Sequence, residues 1–146
     1  MAPKATVLDA SALVALIRGE SGWETVEQVA RTGASRVTAT GLAETLIVLR
    51  RKGYRASSEE IVRDIHALGI AVEPVTEEDA AEMAFLSGEV EKLRAGNARG
   101  ANQIGMLSLG DSACLAVAKR LGAIAVVSDG TWELLGPVGI TILPFR

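Results

Sequence analysis

Short apolar segments alternate with helical segments along the whole chain, and this alternation constrains the fold more than any other feature. Apolar runs that predict strands lie at residues 5–9, 36–40, 70–75, 123–129 and 139–145. Strands that alternate with helices are joined by right-handed crossovers, so they build a parallel sheet that helices cover on both faces. The sequence therefore predicts an α/β protein, a three-layer α/β/α sandwich with a mainly parallel central sheet.

Capping residues mark the starts of several predicted helices. Ser11 is expected to cap the first helix and Ser21 the second, since a serine hydroxyl accepts a hydrogen bond from a helix N-terminus. Ser57 with Glu60 matches the capping-box pattern. The glycine- and asparagine-rich residues 94–107 predict a mobile surface loop. The predicted helices span residues 11–20, 21–31, 41–52, 57–68, 76–93 and 108–121, with a short helical turn at 131–135.

The length and composition fit a single domain with a buried core. Residues 1–146 are 49% hydrophobic, which is enough for one globular domain. No apolar run approaches the roughly 18 residues needed to cross a bilayer, and no secretion signal precedes the first strand. We therefore expect a cytoplasmic protein that does not span a membrane.

The overall charge argues against non-specific binding to nucleic acids. The formal net charge is -3 and the isoelectric point is about 5.2. Aromatic residues make up 3% of the chain, which excludes an extended base-stacking surface. A local basic cluster nevertheless predicts either a solvated surface or weak contacts to RNA phosphates. This cluster consists of Arg50, Arg51, Lys52 and Arg55.

Two aspartates follow predicted strands. Asp9 ends the first apolar strand and Asp129 ends the fourth. The binding crevice of an open α/β sheet lies at the carboxyl ends of its strands, so both residues are candidates for a functional site. Aspartate is also a favoured helix N-cap, and capping is the alternative interpretation for each of them.

Two further acids lie in predicted helices on faces that carry apolar residues. Asp111 completes a capping-box pattern with Ser108, but Cys114 follows on the same helix face, which is expected to be buried. Glu44 precedes Ile47 by one helical turn and does not occupy a capping position. Glu44 has two alternative interpretations that need no functional site. It pairs with an arginine of the same helix, such as Arg50 or Arg51, or it is exposed at the edge of the apolar stripe.

Acids brought together at one place would have to hold protons or bind a cation. Two carboxylates about 4 Å apart repel by roughly 4 kcal/mol at an effective dielectric constant near 20. Hard oxygen ligands favour Mg²⁺ or Mn²⁺. Zinc would need histidine or cysteine, but His66 is expected on a helix surface and Cys114 in the core. Ser11, two residues after Asp9, is expected to orient a metal ligand in addition to capping a helix.

The order and setting of the four acids resemble those of PIN-domain ribonucleases, and most closely the VapC-type toxins of toxin–antitoxin pairs. The resemblance rests on the segments "VLDASALVAL", "LAETLIVL", "LSLGDSACLAVAKRLGA" and "VVSDGTWELL". It implies that Ser11 fills the hydroxyl position two residues after the first aspartate. It also implies that the metal-binding and catalytic acids are Asp9, Glu44, Asp111 and Asp129.

The last motif departs from the pattern of such toxins. They usually carry threonine or serine two residues before the final aspartate, where this chain has Val127. The hydroxyl is therefore expected to be either displaced to the adjacent Ser128 or missing. The connection at residues 94–107 is also longer and richer in glycine and asparagine than in such toxins, so the resemblance assigns no RNA contacts to it.

The resemblance implies a Mg²⁺- or Mn²⁺-dependent endoribonuclease that leaves a 5′-phosphate and a 3′-hydroxyl. Asp9 and Glu44 are then the steadier metal ligands, and Asp111 or Asp129 is the base that orients the attacking water. The resemblance further implies a homodimer and a cognate antitoxin whose tail covers the acidic groove, with an arginine taking the place of the metal's charge.

Three other hypotheses fit parts of the sequence. A PIN-fold module that binds RNA or protein without cleaving it differs from the nuclease in having no metal-dependent activity. A phospho-acceptor signalling domain would need an aspartate ending its middle strand and a lysine after a late strand, and the sequence has neither. Another Mg²⁺-dependent phosphohydrolase would need two aspartates in one strand-end motif, whereas Ala10 and Ser11 follow Asp9.

Overall fold

Five short parallel strands form one sheet in the computed structural model, which describes residues 4–32, 34–96 and 104–146. The order across the sheet is β3-β2-β1-β4-β5, and every neighbouring pair is parallel. The predicted parallel sheet is therefore confirmed. The strands are β1 (Thr6–Leu8), β2 (Ser35–Thr38), β3 (Ala71–Glu73), β4 (Ile124–Val127) and β5 (Ile142–Pro144).

Helices cover both faces of this sheet. Neighbouring residues of β1 separate the two sides, because Val7 packs against α5 and α6 while Leu8 packs against the first four helices. This alternation is the ordinary two-residue period of a strand, and it gives the predicted three-layer α/β/α sandwich. The helices are α1 (Ala10–Arg18), α2 (Trp23–Arg31), α3 (Ala39–Arg51), α4 (Ser58–Ala67), α5 (Glu77–Gly96), α6 (Leu109–Leu121) and a 3-10 helix (Gly130–Val138).

Three of the predicted helix starts are wrong by a few residues. Asp9, not Ser11, caps α1, since its side chain accepts a hydrogen bond from the N–H of Ala12. Gly22, not Ser21, precedes α2, where no side chain caps the helix. Thr38 caps α3 by accepting from the N–H of Gly41, so this helix takes the last two residues of the predicted second strand. For α1 and α3 the residue at the strand end satisfies the helix N-terminus earlier than expected, whereas α2 begins later than expected and without a side-chain cap.

The other caps follow the sequence pattern. The hydroxyl of Ser57 accepts from the N–H of Glu60, and that of Ser108 accepts from the N–H of Asp111. The side chains of Thr76 and Asp79 each accept from the other residue's N–H, which is a complete capping box.

The predicted loop at 94–107 begins later than expected, because α5 continues to Gly96. Residues 97–103 lie outside the described residues. After them, Ile104 is buried in the hydrophobic cluster beneath α5 and α6. No helix in the described part of the chain is long and apolar enough to cross a membrane.

Candidate active site

The strand register places two predicted site residues at the same edge of the sheet. The N–H of Asp9, which directly follows β1, donates to the carbonyl of Val126 in β4 at 3.0 Å. Asp129 follows the end of that neighbouring strand by two residues. The first and fourth predicted strands therefore end side by side, as expected for a crevice at the carboxyl edge of a parallel sheet.

Asp9 is the most deeply buried of the four acids, with 6% of its surface exposed. Its Oδ1 accepts hydrogen bonds from the hydroxyl of Ser11 at 2.6 Å and from the N–H of Ala12 at 2.8 Å. Burial raises the pKa of Asp9 from 3.8 to about 6, against the lowering effect of these hydrogen bonds, and the charge of Asp111 adds to the rise. Asp9 is thus both the helix cap and a carboxylate that is costly to ionise.

Ser11 connects Asp9 to the end of β4. While its hydroxyl donates to Asp9, its Oγ also lies 3.2 Å from Oγ of Ser128. Ser128 is the residue predicted to carry the displaced hydroxyl of the last motif. Its side chain is therefore linked to the Asp9 carboxylate by the hydroxyl of Ser11. Ser11 does not cap α1 as predicted, because it lies one residue inside that helix.

Asp129 has a hydroxyl partner that the sequence reasoning missed. Its Oδ1 accepts from the hydroxyl of Thr131 at 2.6 Å and from the N–H of the same residue at 2.9 Å. Asp129 thereby caps the 3-10 helix, and it uses the arrangement seen at Asp9 and Ser11, an aspartate followed two residues later by a hydroxyl. The repeated Asp-x-Ser/Thr pattern was the signal that could have found Thr131.

Asp111 satisfies both interpretations that the sequence offered. It lies in the first turn of α6, where Ser108 caps the helix, and Cys114 on the same face is buried as predicted. Partial burial raises the pKa of Asp111, with a further rise from the charge of Asp129, while hydrogen bonds from Ser108 lower it. The charge of Asp111 in turn raises the pKa values of Asp9 and Glu44.

Glu44 is more exposed than its apolar neighbours suggested. Its side chain is exposed on α3, and Ile47, one turn further on, is 41% exposed. Among the described residues it forms no ion pair with Arg50 or Arg51, so of the two alternatives the structure favours exposure. Partial burial raises the pKa of Glu44 and the charge of Asp111 raises it further, which places its carboxylate near that residue.

A cavity of roughly 160 Å³ adjoins the acidic cluster. The acids Glu20 and Glu44 line it together with Ser11, and the basic residues Lys52 and Arg146 line it as well. Lys52 Nζ lies 2.9 Å from a carboxylate oxygen of Glu20. Of the four basic residues predicted to contact RNA, Lys52 is the one that lines this cavity, whereas Arg50, Arg51 and Arg55 are exposed outside its lining.

The remaining candidates for metal or nucleophilic chemistry lie apart from the acids or inside the core. His66 is exposed on α4, as predicted. Cys114 is 2% exposed and its Sγ lies 3.8 Å from the carbonyl oxygen of Val7. Burial and the charges of Asp9 and Asp111 raise the pKa of this thiol well above its usual value, so it is a core residue and not a nucleophile.

The donor set of the site fits a hard divalent cation. The available groups are carboxylate oxygens, which suit Mg²⁺ or Mn²⁺. A cation would also offset the negative charges of Asp9 and Asp111, whose pKa values are raised. Within the described residues, however, no three acidic, histidine or cysteine side chains are close enough to hold a metal ion as they stand.

Fold and site together define an α/β protein with a cluster of acids at the carboxyl edge of a parallel sheet. The PIN domain family model matches residues 6–134, most of the chain, and the protein therefore belongs to the PIN-domain family. No curated protein matches this chain.

Several solved structures share the fold at low sequence identity. VapBC2 from Rickettsia felis, bound to a promoter DNA fragment, has a TM-score of 0.69 at 12% identity, covering 96% of this chain and 98% of that one. A toxin–antitoxin complex from Klebsiella pneumoniae has a TM-score of 0.65 at 14% identity, covering 97% and 98%. VapC20 from Mycobacterium tuberculosis, a toxin that cleaves the sarcin-ricin loop, has a TM-score of 0.61 at 18% identity, covering 90% and 95%. At these identities the likeness concerns the fold.

Proposed function

We propose that this protein is a Mg²⁺- or Mn²⁺-dependent endoribonuclease that acts as the toxin of a toxin–antitoxin pair. The observation that carries the proposal is the cluster of Asp9, Glu44, Asp111 and Asp129 at the carboxyl edge of a PIN-domain sheet. In it the charge of Asp111 acts on Asp9 and Glu44, and the charge of Asp129 acts on Asp111. Buried or half-buried acids that repel one another are costly to keep unless they bind a cation or hold a proton. The fold shared with a toxin that cleaves RNA supports RNA as the substrate.

The four acids have different roles in the proposed reaction. Asp9 and Glu44 would be ligands of a divalent cation, which supplies a water of lowered pKa and neutralises charge on the phosphodiester. Asp111 or Asp129 would orient the water and accept its proton. The hydroxyls of Ser11 and Thr131 hold Asp9 and Asp129 in place, since each donates to the Oδ1 of its aspartate.

The proposed partners are a cognate antitoxin and a second copy of the chain, with the cytoplasm as the place of action. Of the similar structures, one is VapBC2 and another is a toxin–antitoxin complex, which supports an antitoxin as the partner. An acidic groove favours a cationic side chain, so an arginine of the antitoxin is the group we expect to lie against the acids.

A PIN-fold module that binds RNA or protein without cleaving it is the second candidate. The separation of the acids within the described residues, where no three could hold a metal as they stand, favours this alternative. The two candidates differ in a single property, which is metal-dependent cleavage.

Removal of the metal tests the proposed activity. Wild-type protein, freed of any co-purified partner, is expected to cut total cellular RNA into discrete fragments with Mg²⁺ or Mn²⁺ and to leave it intact with EDTA. Gel electrophoresis or end-mapping of the fragments measures the outcome, and the ends should carry 5′-phosphates. Intact RNA under every metal condition, from a protein shown to be folded, would support the binding module instead.

Lys52 is the basic residue expected to contact an RNA phosphate beside the acids, because it lines the cavity that Glu44 and Ser11 share. Lys52→Gln should weaken RNA binding in EDTA and reduce the slope of log affinity against log salt by about one unit. Lys92→Gln is the matched control, since Lys92 is exposed on α5 and, within the described residues, pairs with Glu89. Equal salt slopes for both variants, measured by fluorescence anisotropy, would exclude this contact.

A further inference from the structure

Gly110 occupies the second position of α6, where neither the backbone nor helix propensity explains a glycine. Its φ angle is not in the left-handed region that favours glycine. A glycine inside a helix is less stable than an alanine, because it loses more conformational freedom on folding. The reason for this residue must therefore lie in what surrounds it.

The space beside Gly110 is filled by the carboxylate of Glu44. A Cβ atom added to Gly110 would overlap Oε2 of Glu44 and would lie 3.4 Å from its carboxyl carbon and 3.9 Å from its Oε1. All three of these nearest atoms belong to one side chain, which comes from α3. The missing Cβ is thus the feature that lets the carboxylate approach the first turn of α6.

The same approach brings the Glu44 carboxylate near Asp111. The next residue after Gly110 is Asp111, whose charge acts on the Glu44 carboxylate. Glu44 is otherwise exposed, and within the described residues it forms no ion pair. Its position beside Asp111 therefore depends on the space that Gly110 leaves.

We infer that Gly110 is a positioning residue, which leaves the room that Glu44 needs to lie beside Asp111 as a metal ligand. This inference rests on the proposed function, since the position of Glu44 matters chemically only if its carboxylate binds a cation. A methyl group at Gly110 would meet the flexible end of a glutamate side chain and no backbone atom. Gly110→Ala should consequently fold and displace the carboxylate.

Two measurements on Gly110→Ala test the inference. In crystal structures without metal, the Glu44 carboxylate should move away from α6 relative to wild type. In calorimetric titrations, the affinity for Mn²⁺ should fall about tenfold, the size expected when a ligand loses its positioning contact. The melting temperature should not fall. Gly88→Ala is the matched control, because Gly88 lies inside α5 and a Cβ there meets nothing within 4 Å, so this variant should bind Mn²⁺ like wild type.

A shorter acid at Glu44 gives a second test. The carboxylate of Glu44→Asp is held one methylene further from α6, so adding Gly110→Ala to this variant should change Mn²⁺ affinity less than about twofold. An equal loss in both backgrounds would overturn the inference, as would an unmoved Glu44 carboxylate or an unfolded Gly110→Ala protein. If wild type neither binds Mn²⁺ nor cleaves RNA, the proposed function fails, while the crystal structures still decide whether Gly110 sets the position of Glu44.

Discussion

Asp111→Asn is expected to reduce metal-dependent RNA cleavage at least about a hundredfold while the protein remains folded. Asp111 is the acid whose charge acts on both Asp9 and Glu44, and its own pKa responds to Asp129. An asparagine keeps the shape of the side chain but removes the charge that a cation or a water proton would meet. Single-turnover cleavage of a defined RNA in Mn²⁺ measures the loss.

The same substitution should leave the stability of the metal-free protein unchanged or raise it. The cap of α6 survives, because the N–H of residue 111 and not its side chain donates to the hydroxyl of Ser108. Removing a charge with a raised pKa also removes repulsion toward its acidic neighbours. Thermal unfolding in EDTA checks this expectation.

Asp64→Asn is the control for both measurements, because Asp64 is an exposed acid on α4, away from the site. It should cleave RNA like wild type. If Asp111→Asn cleaved RNA equally well, its carboxylate would serve only the helix N-terminus. If the variant unfolded, the conclusion that its charge is dispensable for the fold would be wrong.

The fold could be predicted from the sequence because its signals are local and repeated. The two central strands, β1 and β4, are short apolar runs buried on both faces, such as the run that holds Val7 and Leu8. Each of the first four strands is followed by a helix. Right-handed crossovers then leave few possible arrangements, and the two aspartates that end the first and fourth strands fall at one edge of the sheet. Two of the four acids were thus placed by topology.

The helix boundaries were harder to predict because one residue can serve two purposes. Asp9 is both a candidate site residue and the cap of α1, whereas the sequence pattern alone favours Ser11 for that cap. Thr38 ends a strand and caps the following helix at once, with no loop residue between them. Where strand and helix share a residue, propensity alone does not locate the junction.

The contact between α3 and α6 is what the sequence could not reveal. Sixty-six positions separate Glu44 from Gly110, and no local pattern links an exposed glutamate to a helical glycine. Ile47 and Val48, one turn after Glu44, predict a buried helix face, whereas Ile47 is 41% exposed and Val48 is half-buried. Thr131 differs from Gly110 in this respect, because its spacing from Asp129 repeats that of Ser11 from Asp9 and could have been recognised.

The metal-free protein should lose stability as the pH rises through about 6, and Asp9 is the main cause. Its pKa is raised from 3.8 to about 6 on folding, so the folded state holds its proton more tightly than the unfolded state. The stabilisation is complete below pH 3.8 and disappears above about 6, and a shift of this size corresponds to about 3 kcal/mol. The raised pKa values of Asp111 and Glu44 act in the same direction.

Urea unfolding in EDTA between about pH 5 and pH 7.5 measures the last part of this loss, about 1.4 kcal/mol. The lower limit avoids the acids that act in the opposite sense, such as Asp79, whose pKa the hydrogen bonds from Arg120 lower against the effect of burial. Asp9→Asn should remove most of the pH dependence and raise the free energy of unfolding at pH 7.5 by about 1–3 kcal/mol, since asparagine is also a good N-cap and carries no charge. Asp64→Asn should keep the wild-type slope.

Metal binding should show the opposite dependence on pH. Asp9 must lose its proton before it can act as a ligand, so Mn²⁺ affinity should rise as the pH passes through about 6, with release of a proton. The cation would then restore the stability that ionisation of Asp9 removes, because it binds the folded state alone. A wild-type slope that persists in Asp9→Asn would assign the pH dependence to another group, and a Mn²⁺ affinity independent of pH would show that Asp9 is not a ligand.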